Sequence, residues 1–284
     1  MKKFALWLCV VALVISAVGS FALADPYIIG IPDDATNEGR ALLLLQQIGA
    51  LTLDENAGIT ATTKDVTSTV AEIEFKEIQA ASIPGLLLDL DFAIINNNYA
   101  LDNGLNPAKD GLAIESSDSP YSNVICVKED NKDADLTKAL VAAFASQKVV
   151  DFINETYPDG SVVSVVGDPT DGFDSSVDYE TLKGSTVSIA VTPVPHELIA
   201  KIAKEILAEK EITLEIVEVT DYVTPNDMVE AGDVYANYFA HIPYQEEFNA
   251  SNNTHIAIVA PVHVEPMAIY GGQQTDLSLL TTAK

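Results

Sequence analysis

Two stretches of this chain read the same way. Tyr27 to Ile31 is a short apolar run of strand type, Pro32 to Ala35 is turn chemistry, and Thr36, Asn37 and Glu38 stand at the start of a helix that carries Leu42 to Leu45. Val187 to Val191, the turn Thr192 to Pro195 and a helix over His196 to Lys210 repeat the arrangement. A chain that alternates strand and helix twice over is held to α/β layers, and the repetition predicts two similar lobes. In such sheets the loops at the carboxyl ends of strands face the ligand crevice, so the residues just after each strand are the first candidates for function.

Between these units the pattern continues. Gly49 reads as the C-cap of the first helix, followed by a strand over Ile59 to Thr63 and another over Glu72 to Ile78, where Ile73 and Phe75 alternate with charged residues. Ala81 to Leu90 reads as a short helix, and Phe92 to Ile95 as a buried strand ending in Asn96, Asn97, Asn98 and Tyr99. Amides and a phenol there can hold both ends of an amino acid, or can simply be Asn-rich turn chemistry. Strands at Leu112 to Glu115 and Val124 to Val127 flank SSDSPYSN, and one helix is expected from Asp135 to Thr156. The stretch from about 158 to 180, rich in Gly, Asp, Ser and Pro, is the best linker candidate and is expected to be a solvent-exposed connector, except for Val162 to Val166, which is apolar enough to pack. Strands over Ile212 to Val219 and Val234 to Phe239 follow, then a long β stretch from Thr254 to Tyr270 broken at Pro261 and Pro266.

Arg40 is the only arginine among 284 residues. Placed in the first turn of a helix that follows a strand, its planar fork and the helix's free N–H groups could together hold a carboxylate. The alternative is a tether from a turn to one of the many acids.

Met1, Lys2 and Lys3, the apolar run Phe4 to Val18 and the ending Ala22-Leu23-Ala24 read as a secretory signal peptide over residues 1 to 24, with an uncleaved membrane anchor as the alternative. Cys9, inside the apolar run and preceded by Leu8, is a poor lipid-attachment cysteine, so no lipid anchor is expected. Removing this segment takes away two lysines and no acids, which moves the formal charge from −27 to −29. Such an excess excludes nucleic acid and anionic membrane surfaces as partners, and any carboxylate site must be built locally. Cys126 alone would remain, so no internal disulfide forms.

An enzyme would need a reactive constellation. The sequence has no GxSxG elbow, Cys126 sits in a buried-looking strand, and His196, His241, His255 and His263 show no HExxH or close-ligand spacing. No catalytic residue, metal or cofactor is therefore expected, and His255 and His263 read as structural or surface histidines.

The segments IPDDATNEGRALLLLQ, AIINNNYALDNGLNPAKDGL, SPYSNVICVKEDNKD, VTPVPHELI, DYVTPNDMVEAGDVYANYFAHIPYQEEF and VEPMAIY resemble the NLPA family, the methionine-binding lipoproteins that serve an ABC importer. The resemblance implies a two-lobed periplasmic-binding-protein type II architecture closing on an amino acid. Carried over by position, it implies a carboxylate-binding role for Arg40 and ligand contacts from Asn96, Asn123, Tyr222, Phe239, His241 and Tyr244, with the aromatic rings sandwiching a thioether. Ala240 and Ile242 stand where the family has Gln and Lys, which makes the pocket rim more apolar.

The order of the segments is rotated with respect to the family, so the resemblance implies a circular permutant whose old termini are joined through the Gly/Asp-rich linker and whose new ones lie between Leu277–Thr282 and Tyr27. Lobe B would be 25 to 112 with 270 to 284, and lobe A 113 to 269. The implied partners are an amino acid, methionine above others, and an ABC permease; the chain would be a monomer, secreted or periplasmic. A secreted amino-acid scavenger or sensor without a transporter is the alternative.

Overall fold

A computed structural model describes residues 25–116 and 120–281, so the expected signal peptide lies outside the described residues. In chain order the strands are β1 (Tyr27–Pro32), β2 (Leu51–Leu53), β3 (Val66–Thr69), β4 (Ile73–Ile78), β5 (Phe92–Ile95), β6 (Gly111–Ile114) and β7 (Ser122–Lys128). They continue with β8 (Val163–Ser164), β9 (Thr186–Val191), β10 (Thr213–Glu218), β11 (Ala236–His241), β12 (Ile256–Val264) and β13 (Ala268–Gly271).

The protein is α/β, and its two larger sheets are built alike. The first has the order β4-β1-β5-β13-β6, the second β10-β9-β11-β7-β12-β8. In each, a central strand (β1 or β9) lies parallel to both its neighbours, and a strand arriving from the other lobe (β13 or β7) pairs antiparallel. The chain leaves the first sheet after Ile114, enters the second at Ser122, and returns between Val264 and Ala268. β6 and β13 thus straddle the boundaries expected at 112/113 and 269/270.

Each lobe is held by one helix laid on its central strand. The helix Ala35–Gln47 buries Leu42, Leu44 and Leu45 against Ile29, Ile31, Phe92 and Ile269. The helix Leu198–Ala208 buries Ile199, Ala203 and Ile206 against Val187, Ile189 and Tyr238. Each fully buried aliphatic side chain contributes about 1.5–3 kcal/mol, so each of these faces adds several kcal/mol to its lobe.

Several expectations need correction. Ile59 to Thr63 is not a strand; short 3-10 turns replace it, because the first helix needs the Ile59–Ala61 backbone beside Gly39, where a Cβ would sit 2.3 Å from the Ile59 carbonyl oxygen. Ala81 to Leu90 is broken into single turns around a four-residue helix, Ile83–Leu86, that begins with Pro84 at its second position. The single helix expected over 135 to 156 is two, Asp135–Phe144 and Gln147–Thr156, with buried Ser146 between them accepting from the Val149 amide at 3.2 Å. That break is occupied: the Thr170 amide donates to the Ala145 carbonyl, and the Gln147 amide to the Thr170 carbonyl.

The stretch expected to be an exposed connector is therefore fastened down. Val162 is buried and β8 pairs with β12, within the segment excepted from the connector, and beyond it Val177 is buried while Phe173 and Tyr179 pack on the second lobe's core. Its apolar residues are few, but these join the core of one lobe, which composition could not show.

Candidate functional site

The helix Ala35–Gln47 starts at Asp34, whose carboxylate accepts from the Asn37 amide at 3.0 Å. The helix end expected to receive a ligand anion is thus capped by the protein's own carboxylate, and Arg40 falls in the second turn rather than the first. One turn of helix places Asn37 and Arg40 on the same side, facing the carboxyl ends of β5 and β11. Asn96, Asn97 and Asn98 follow β5; Phe239, Ala240 and His241 end β11; Asn123 opens β7; and Tyr222 sits in the turn after β10.

These residues meet. Arg40, Asn96, Asn123, Tyr222, Phe239, His241 and Tyr244, all nominated from sequence, line one narrow cavity together with Asn37, Asn97, Asn98, Ala240 and Glu265. Ile242, the other expected rim residue, packs instead with the Val124 and Cys126 cluster.

Arg40 is buried, and it is neither a surface tether nor a free ligand arm. Its Nε and Nη2 donate to the Glu115 carboxylate at 2.5–3.1 Å, Nη2 donates to the Glu265 carbonyl at 2.7 Å, and the guanidinium lies 4.3 Å from the centre of the Tyr121 ring. Glu115 follows β6, Tyr121 precedes β7, and Glu265 lies between β12 and β13, so one side chain clamps both crossings between the lobes. Among the described residues Nη1 makes no hydrogen bond, which leaves that edge of the fork for the cavity.

The polar half of the site has a determined polarity. The Asp34 carboxylate can only accept, so Asn37 turns its Nδ2 to it, at 3.0 Å from each oxygen. Asn37 Oδ1 then accepts from Asn96 Nδ2 at 2.7 Å and from His241 Nε2 at 3.0 Å. His241 Nδ1 accepts from the Tyr244 amide at 3.1 Å, which puts the ring proton on Nε2. Burial, and secondly the nearby Arg40 guanidinium, hold His241 well below the ordinary imidazole range, so it is a neutral donor. The chain of bonds leaves Asn96 Oδ1 buried without a partner, and Asn97 Oδ1 as well, among the described residues. Buried acceptors without donors are costly, and a ligand N–H would satisfy them.

The other half is aromatic. Tyr222, Phe239 and Tyr244 form a triangle with ring centres 5.8–5.9 Å apart. Tyr222 donates to Asn98 Oδ1 at 2.5 Å and Tyr244 to the Tyr222 carbonyl at 2.6 Å, which fixes both rings. Burial pushes the Tyr222 hydroxyl well above its ordinary value, so it stays protonated. Such a surface suits a flexible apolar or thioether group.

The histidines are not scattered as their spacing implied. His196, His263 and Glu265 are buried with their ligand atoms within 4.8 Å of one another, so these three could hold a metal ion. Their contacts are those of hydrogen bonds, however: His263 Nε2 lies 2.6 Å from Glu265 Oε1, closer than the roughly 3.3 Å between two donors of a tetrahedral zinc. His255 is exposed and pairs with Glu230. Cys126 is fully buried, and burial pushes its thiol up, away from nucleophilic use.

Asn37 and Glu265 were missed. Asn37 reads locally as helix-start chemistry. Glu265 did carry a signal, since it is the only acid in the stretch from Ile256 to Tyr270, which is apolar apart from it and His263.

Fold and site define a two-lobed α/β protein with a polar-and-aromatic cleft between the lobes. The family described as NlpA lipoprotein matches residues 21–166 and 187–284, and the chain belongs to that family. It is similar to the D-methionine-binding lipoprotein MetQ of Escherichia coli K12, 39% identical over 142 residues, covering 49% of this chain and 52% of the relative. The MetQ of Yersinia pestis is 42% identical over 136 residues, 47% of this chain and 50% of the relative. The chain spans about half the length of the curated relatives it matches. Among solved structures, a nutrient binding protein from Burkholderia cenocepacia bound to methionine is 41% identical, covering 50% of this chain and 60% of the other, with a TM-score of 0.47. The lipoprotein name of the family stands against the expectation that a lipid anchor is absent; the segment concerned lies outside the described residues. Among the described residues no helix is long and apolar enough to cross a membrane.

Proposed function

We propose that this chain is an extracytoplasmic binding protein that captures an α-amino acid, methionine above others, for an ABC importer, and that it does no chemistry. The observation that carries the reading is the convergence of the seven nominated residues, from both lobes, on one cavity. Arg40 Nη1 offers donors to a carboxylate, the unpartnered Asn96 and Asn97 oxygens offer acceptors to an ammonium, and the Tyr222–Phe239–Tyr244 triangle receives the side chain. The relatives' methionine-binding names agree with this division. The buried thiol and the saturated histidines offer no activated nucleophile.

Calorimetry with a panel of amino acids in both enantiomeric forms tests the reading. Methionine is expected to bind well below millimolar; no α-amino acid binding better than 1 mM, about −4.1 kcal/mol, would sink it.

We further propose that the halves of the chain are exchanged relative to the family. Two facts support this. The family match stops at 166 and resumes at 187, and the curated relatives align with only about half of this chain and half of themselves, as a colinear alignment must when it meets a rotated order. A rearranged chain in which 167–281 precedes 25–166, joined through a short flexible linker, should keep the melting temperature within a few degrees and the same ligand affinity, because every strand keeps its neighbours. Loss of folding in that chain would overturn the exchange.

A further inference from the structure

A carboxylate stands in the cavity that the partition above leaves without a task. Glu265 is 5% exposed, and an ionised group so placed needs partners. Its Oε1 accepts from His263 Nε2 at 2.6 Å, while His196 Nε2, 3.2 Å from the same oxygen, makes its hydrogen bond to Asn123 Oδ1 at 3.1 Å. A carboxylate and an amide oxygen only accept, so both imidazoles carry their proton on Nε2. Each Nδ1 then accepts from a hydroxyl behind it, His196 from Thr192 at 2.7 Å and His263 from Tyr238. Burial holds His196 well below the ordinary imidazole range, which keeps it a neutral donor.

Oε2 is different. It makes no hydrogen bond among the described residues, and Glu265 lines the cavity. The carbonyl of the same residue accepts from Arg40 Nη2 at 2.7 Å, so the guanidinium and the carboxylate are set relative to each other by one residue. Arg40 is already neutralised by Glu115. The ionised groups Arg40, Glu115 and Glu265 together leave the site with an excess of one negative charge, which disfavours a bare anion and suits a ligand that brings its own cation.

Resting on the amino-acid reading, we propose that Glu265 is the counter-ion of the ligand's ammonium group, held in place by His263, and that it makes the site select zwitterions over simple carboxylates. Arg40 and Glu265 would then grip the two charged ends, with the Asn96 and Asn97 oxygens completing the ammonium's acceptors.

The test compares methionine with its des-amino analogue, 4-(methylthio)butanoate, by calorimetry on wild type, Glu265→Gln and Glu265→Asp. The Gln side chain can still accept from His263 through Oε1 while replacing Oε2 with an amide nitrogen. Glu265→Gln should weaken methionine about 10- to 100-fold, in the range of charged hydrogen bonds, and leave the analogue unchanged or tighter. Glu265→Asp keeps the charge one carbon back and, whether or not Glu265→Gln folds, should still favour methionine over the analogue by at least about tenfold. Equal losses for both ligands, methionine within about twofold of wild type in Glu265→Gln, or parity of the two ligands in Glu265→Asp would overturn the proposal. A wild type that binds no amino acid overturns the functional reading instead.

Discussion

Arg40→Ala is expected to lose methionine binding and also to destabilise the protein by about 3 kcal/mol or more. The second loss follows from the structure and not from the sequence. Arg40 and Glu115 are 3% and 13% exposed, and removing the guanidinium leaves the Glu115 carboxylate with only the Met267 amide as donor and the Glu265 carbonyl with none, at the two crossings between the lobes. The double variant Arg40→Ala/Glu115→Gln should regain part of the melting temperature, since it removes the stranded charge, but none of the affinity. Arg40→Lys keeps the charge and loses the fork, so it should weaken binding by about 1.5–3 kcal/mol. Thermal melts and calorimetry on the three variants decide: full affinity in Arg40→Ala would remove Arg40 from the site, and an unchanged apo melting temperature would remove it from the hinge.

Asn37→Asp should be the most damaging isosteric change in the site, at about 3 to 5 kcal/mol near pH 7.5. Asn37 Nδ2 donates to both oxygens of Asp34. An aspartate there replaces those donors with a carboxylate about 3 Å from another, and the two cannot both ionise. Asp34 is already raised by burial, against the lowering effect of its bonds from Asn37. The pH dependence distinguishes this from a packing fault. In wild type, His196 and His241 are depressed by burial, so their stability is full above the free imidazole value of about 6.5 and is lost as pH falls below it, while raised Asp34 works in the opposite direction. The variant adds a second raised carboxylate, whose contribution is full below its unfolded value and lost as pH rises. Between pH 7.5 and 5.5 the wild-type melting temperature should fall and that of Asn37→Asp should rise. A parallel fall in both would remove the carboxylate pair as the cause.

What the sequence determined by itself was local or repeated. The strand-turn-helix units at 27–47 and 187–210 are short-range patterns of apolar spacing, and they were enough for an α/β chain with two similar lobes. Phe92–Ile95 was legible because a strand buried along its whole length is apolar throughout, and Val187–Val191 because it is apolar except at Ser188. Arg40 was legible because it is unique, and the aromatic set only through resemblance to a family, since Tyr222, Phe239 and Tyr244 have the spacing of ordinary core. The tertiary structure decided what depends on partners far along the chain. Arg40 is tied to Glu115 and Glu265, 75 and 225 residues away, so its role as a clamp on both crossings had no local signature. His196, His263 and Glu265 meet because β9 and β12 belong to one sheet, a placement that follows from strand pairing and not from ligand spacing. The helix break at Ser146 and the seating of 158–180 exist because each supplies the other's missing hydrogen bonds. Periodicity reports which face of an element is apolar; which two faces meet is settled only when the whole chain has found its sheet order.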